Sequence, residues 1–232
     1  MKSLIPILIC FINLYSFGNK PIDYKEFFNN EIAEANSYLK KTGKIFIKSC
    51  KKHKHSKKEI TAIIYPELLR YNYLKDFFET SSLELVYVKF GSKAADFSIG
   101  HFQMKPSFVE QIEKKILSNS ALYKKYKVLI IKNQNKRSVR INRLKSTHWQ
   151  LAYLHAFIDI CMIKYPSIKK ESKNNQIHFL AACYNIGFNF SLVTIKKRCN
   201  FKIFPFGTKY NGNQFSYADI SCAYYNDKIN SL

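Results

Sequence analysis

The segment that most constrains this chain follows Ser146, where Trp149, Ala152, Tyr153, Ala156, Phe157, Ile160 and Cys161 recur at intervals of three and four. Residues so spaced share one face of an α-helix, and Pro166, which cannot extend the hydrogen-bond ladder, follows its end. The same periodicity predicts a first amphipathic helix over Tyr24–Lys41, with Phe28, Ile32, Ala35 and Leu39 on one face and Asp23 placed to cap its start. Shorter helical patterns occur at Glu59–Ile64, Pro106–Leu117, Gln176–Tyr184 and Tyr217–Asp227. Only Lys127–Ile131 and Phe201–Phe204 read as strands, so the expected class is mainly α with at most a small β element.

Ahead of these elements stand one cation, Lys2, an apolar run from Leu4 to Tyr15, and then Ser16-Phe17-Gly18, with small residues three and one positions before a cut. That is the pattern of a secretory signal peptide, and the run is shorter than the ~20 residues a membrane-spanning helix needs. The expectation is a leader over residues 1–18 and a single exported domain over 19–232, periplasmic or extracellular, with a basic helical N-terminal extension at about 19–58. Five cysteines remain after cleavage (Cys50, Cys161, Cys183, Cys199 and Cys222), so at most two disulfides can form and their pairing is open.

Lysine and arginine total 38 against 16 acids. Such a surface favours polyanions: nucleic acid, anionic lipid headgroups or an acidic wall polymer. Lys40–Lys58 holds nine lysines and no acid, and a second basic run spans Lys132–Lys145. Both read as solvated faces. No specific nucleic-acid partner is expected, because the lysines are not interleaved with aromatic residues on which bases would stack. His53 and His55, inside the first run, read as solvated side chains on a mobile basic segment rather than as metal ligands. The chain has no His-Glu-x-x-His, Cys-x-x-Cys or Gly-x-Ser-x-Gly, so zinc-protease and serine-hydrolase chemistries lack their anchors. No metal or cofactor is expected.

Glu67 is the carboxylate that stands out. Ile60, Ile63 and Ile64 precede it by seven, four and three residues and Tyr71 follows by four, so a continuous helix places it inside an apolar stripe. Desolvation there disfavours the charged form and raises the pKa, which suits a general acid near neutral pH. Pro66 removes one helix hydrogen bond, so the helix either kinks or restarts at that point.

Three further segments follow in order: Gly100-His101-Phe102-Gln103-Met104-Lys105-Pro106 after Asp96-Phe97-Ser98, then Ala182-Cys183-Tyr184-Asn185-Ile186-Gly187, then Phe215-Ser216-Tyr217 running to Tyr225. With Glu67 they resemble the lytic transglycosylases and goose-type lysozymes of the lysozyme-like superfamily. In that family a catalytic Glu is followed by Gly-Leu-Met-Gln-x-x-Pro, Ala-Ala-Tyr-Asn-Ala-Gly and a Tyr-rich helix. The resemblance covers roughly residues 60 to 226. The chain departs from the pattern at Leu68, where the family has Ser, at His101-Phe102 in place of Leu-Met, and in a longer gap between Glu67 and Gly100.

The resemblance implies a lysozyme-like helical domain whose groove binds the glycan strands of peptidoglycan. It implies cleavage between N-acetylmuramic acid and N-acetylglucosamine, with Glu67 as acid and then as base on the muramic 6-hydroxyl. Ser98, Gly100, Phe102, Gln103, Tyr184, Asn185 and Tyr217 are the implied substrate-binding residues. Gly100 offers close backbone approach to a sugar, Gln103 and Asn185 offer amides, and Tyr184 and Tyr217 offer rings with polar tips. A water-using muramidase needs a second carboxylate, for which Asp96 is the candidate. The alternative from another class is a non-catalytic glycan-binding module, its basic faces docking on an anionic wall or membrane surface.

Overall fold

The computed structural model describes residues 23–74 and 81–227; the expected leader lies outside the described residues. The chain is mainly helical, with one two-stranded sheet. The helix after Ser146 forms as α8, Thr147–Lys164. It is buried without interruption from Gln150 to Ile158, because other helices sheath it on every side.

At the N-terminus the single expected helix is two. Asp23 accepts from Lys25 N at 3.4 Å and caps the short α1, Tyr24–Phe27. Phe28 then breaks the ladder (φ −103°, ψ 30°), and α2 runs from Asn29 to His53. Much of the lysine run therefore belongs to a core helix packed on α8, rather than to a mobile segment. Ala35, Thr42, Phe46, Ser49, Cys50 and His53 face inward, while Lys40, Lys41, Lys44, Lys48, Lys51 and Lys52 are exposed, as expected for a solvated face.

His53 and His55 are not the solvated side chains expected. His53 is stacked between Tyr126 (centroids 5.3 Å apart) and His155 (4.6 Å). His55 Nδ1 lies 2.7 Å from His155 Nδ1, His55 Nε2 lies 3.1 Å from Asp159 Oδ1, and His155 Nε2 lies 3.0 Å from Ser49 Oγ. One set of neutral tautomers satisfies all three contacts: Ser49 donates to His155, His155 Nδ1–H donates to His55, and His55 Nε2–H donates to Asp159. Lys125 and Tyr126 also donate to Asp159, at 2.6 and 2.7 Å. The cluster thus ties the end of α2 to α8, with both ring nitrogens of His55 and of His155 accounted for. Among the described residues, no group of three or more His, Cys, Asp or Glu side chains is placed to hold a metal ion.

The third helix, α3, spans Lys57–Leu74 and passes through Pro66 without ending. It packs against α2, α9 (Lys173–Ile186) and α11 (Tyr217–Asn226). Between them lie α4 (Ser81–Phe90), α5 (Pro106–Leu117), α6 (Ser120–Tyr126), α7 (Lys136–Leu144) and α10 (Leu192–Arg198). The expected strand at Lys127–Ile131 is instead a 3₁₀ turn over Lys127–Leu129. Arg143 donates to the carbonyls of Leu129 (2.7 Å) and Val128 (3.3 Å), so the backbone is satisfied without a strand partner. The second expected strand forms as β1, Lys202–Phe204, antiparallel to β2, Phe215–Ser216.

The five cysteines of the described residues are all buried free thiols. No helix among the described residues is long and apolar enough to cross a membrane.

Candidate active site

The loop between α4 and α5 closes on itself at Ile99 and Met104, whose backbones exchange hydrogen bonds of 3.1 and 3.2 Å. Inside this closure Gly100 (φ 67°) and Gln103 (φ 49°) both adopt positive φ. Gln150, from α8, staples the loop by donating to the Ile99 carbonyl at 2.8 Å and accepting from Phe102 N at 3.4 Å. A Cβ on Gly100 would stand 2.6 Å from Gln150 Nε2 and 2.6 Å from the Leu144 carbonyl oxygen. Glycine is thus required here by the left-handed turn and by the staple. The turn aims Gln103 toward α3, a conformation that costs a non-glycine residue energy and marks sites the surrounding structure over-determines.

Glu67 sits on α3 at 3% exposure. It lines a cleft of about 310 Å³ together with Arg70 of α3, Gln103, Met104 and Lys105 of the loop, Phe108 and Gln111 of α5, and Tyr184, Asn185 and Gly187 at the end of α9. Burial, opposed by the charges of Arg70 and Lys105 and by contacts from Arg70 and Tyr217, leaves its pKa raised to about 7. Arg70 Nη2 stands 2.7 Å from Glu67 Oε2, but not aligned as a hydrogen bond.

Among the described residues, the buried side-chain polar atoms without a hydrogen-bond partner are Glu67 Oε2, Arg70 Nε and Gln103 Oε1. All three belong to residues of this one cleft. Glu67 Oε2 still faces the Arg70 guanidinium, but Arg70 Nε and Gln103 Oε1 are unpaired, and leaving such an atom so costs roughly 1–3 kcal/mol.

The implied site residues separate into three groups. Glu67, Gln103, Tyr184 and Asn185 share the cleft with Asp96. Asp96, however, is exposed and accepts from Ser107 N (2.9 Å) and Ser107 Oγ (2.7 Å), a cap on the first turn of α5. Tyr184 is held from behind, its hydroxyl donating to the Phe102 carbonyl at 2.7 Å. Tyr217 lies beneath the cleft, donating to the Ile63 carbonyl at 3.0 Å, one turn before Glu67 and beside the break that Pro66 makes in the ladder. Its hydroxyl is also within hydrogen-bonding reach of Glu67, so it positions the acid.

Phe102 is fully buried against Phe46 of α2 and is a core residue, not a sugar contact. Ser98 and Gly100 do not line the cleft. Its cations, Arg70 and Lys105, were missed by sequence reasoning. The signal for Arg70 was its place three residues after Glu67, which puts both on one helix face. Lys105, just before the Pro106 that opens α5, carries no such signal.

Family models, curated proteins and solved structures offer no match to this chain.

Proposed function

We propose that this chain is an exported lytic transglycosylase, cleaving peptidoglycan strands between N-acetylmuramic acid and N-acetylglucosamine in a lysozyme-like groove. The observation that carries the reading is the convergence in one cleft of Arg70 Nε and Gln103 Oε1, which have no hydrogen-bond partner, with the buried Glu67, whose contact with Arg70 is an unaligned ion pair. A glycan supplies what they lack: hydroxyl and amide N–H donors for Gln103 Oε1, and an acceptor for Arg70 Nε. Glu67, with its pKa raised to about 7, holds a proton for the glycosidic oxygen at neutral pH and is then basic enough to take one from the muramic 6-hydroxyl. The bond cleaves through an oxocarbenium-like state and closes to a 1,6-anhydro end, with no water consumed.

The commitment of both Asp96 oxygens to Ser107 favours this single-carboxylate route over the water-using muramidase. Mass spectrometry of the fragments released from wall sacculi separates the two. The transglycosylase yields 1,6-anhydromuramic ends. Fragments ending only in hydrolysed reducing sugars would move the reading to the muramidase.

A further inference from the structure

The cleft's cations ask for something a neutral sugar does not provide. In the guanidinium of Arg70, Nη2 and Nε form the side-on edge that carboxylates take with two parallel hydrogen bonds. Nη2 is spent on a misaligned contact with Glu67, and Nε has no partner. The Arg70 side chain is 21% exposed against 4% for Glu67, but Nε itself is buried, so Arg70 must turn to present this edge to an incoming group. Lys105 lines the same cleft with its side chain exposed. Asp96, the other acid there, is committed to Ser107. An anion entering the cleft therefore meets two cations, one with an idle edge.

We propose that Arg70 is the specificity-determining residue of this cleft, selecting a glycan that bears a free carboxylate beside Glu67 and exchanging Glu67 for that carboxylate as its partner. The inference rests on the glycan-cleaving reading. N-acetylmuramic acid carries a lactyl group that is ionised only where no peptide is joined to it, so peptide-free strands are the class of substrate selected. The exchange also arms the acid. Glu67 is faced by Arg70 from its own helix, Lys105 from the loop, Tyr184 from α9 and Tyr217 from α11. When Arg70 turns to the substrate, the charge that most favours ionised Glu67 is withdrawn, and a proton from solvent binds the carboxylate that then donates it.

Calorimetry on the full chain tests both halves, using a peptide-free tetrasaccharide of alternating N-acetylglucosamine and N-acetylmuramic acid and its methylamide, in which the lactyl carboxylates are neutral. In Glu67→Gln, which cannot turn over, the free acid should bind at least about tenfold more tightly, and adding Arg70→Gln should bring the two ligands within about threefold. Arg70→Lys, which keeps the charge without the fork, should restore only part of the preference. At pH 7.5, titration of intact protein with the disaccharide N-acetylglucosaminyl-N-acetylmuramic acid, which lacks the bond that is cut, in buffers of different ionisation enthalpy, should show net proton uptake, absent in Glu67→Gln. Equal binding of acid and methylamide to Arg70-containing protein, or uptake that survives Glu67→Gln, overturns the proposal and leaves the glycan reading standing. Binding of neither overturns both.

Discussion

Acidification brings protons to an imidazole cluster that the folded protein has no room to solvate. His53 is 5% exposed and His155 is wholly buried. Burial above all, with the cations Lys52 and Lys125 and then His55, lowers His53 from 6.5 to about 4. Burial, then His53 and His55, lowers His155 to about 2. Because both folded values lie below the unfolded one, the unfolded chain binds protons first as pH falls. This stability is complete above pH 6.5 and drains away below it. At pH 5, about 1.5 below the unfolded value, each neutral histidine costs about 2 kcal/mol, or about 4 kcal/mol for the pair, out of the 5–15 kcal/mol typical of a domain. Asp159, which burial alone would raise, is held well below the usual carboxylate range by its hydrogen bonds from His55, Lys125 and Tyr126 and stays ionised in this window. Glu67 has the opposite sign. Its raised pKa destabilises the fold at high pH and relieves that burden on acidification, so the measurement belongs in Glu67→Gln. Urea unfolding of that variant, followed by circular dichroism at pH 8 and pH 5, should show a loss of about 4 kcal/mol. His53→Phe, which keeps the ring stack with Tyr126 and His155, should recover about half of it. A loss below about 1 kcal/mol, or the same loss in His53→Phe, refutes the reasoning.

Two further substitutions test the loop that shapes the cleft. Gly100→Ala must bear both a left-handed backbone and contacts of 2.6 Å with Gln150 and the Leu144 carbonyl. It should destabilise by about 2–4 kcal/mol in urea unfolding, and a change under about 0.5 kcal/mol would contradict the staple's role. Asp96→Asn should lower the rate of wall lysis by less than about tenfold, because the transglycosylase route activates no water. Abolished lysis with the α5 cap intact would restore Asp96 as a second carboxylate.

How far the fold was legible depended on where each segment's hydrogen bonds and contacts lie. The helices α5, α8 and α11 carry their burial pattern within themselves, and periodicity finds them. The turn at Lys127–Leu129 looks like a strand because Val, Leu and Ile cluster there, but its carbonyls are satisfied by Arg143, fourteen and fifteen residues away. The inward face of α2 was hidden because Thr42, Ser49 and His53 are polar, so its lysines dominated the pattern. At the site, Glu67 was legible because its apolar stripe lies on its own helix. The roles of Gly100 and Phe102 depend on Gln150 and Phe46, partners that only tertiary structure brings to them.

The central claim is that Glu67 is the proton donor, and the most direct measurement is the rate at which purified Glu67→Gln releases muropeptides from sacculi, at folded concentration matched to the unaltered protein. Glutamine keeps the size and hydrogen-bonding shape of the side chain but removes the titrating proton. The account predicts retained binding to sacculi and a release rate lower by at least about 10²- to 10⁴-fold, the range general acid catalysis typically contributes. Release at a near-normal rate by Glu67→Gln would contradict it.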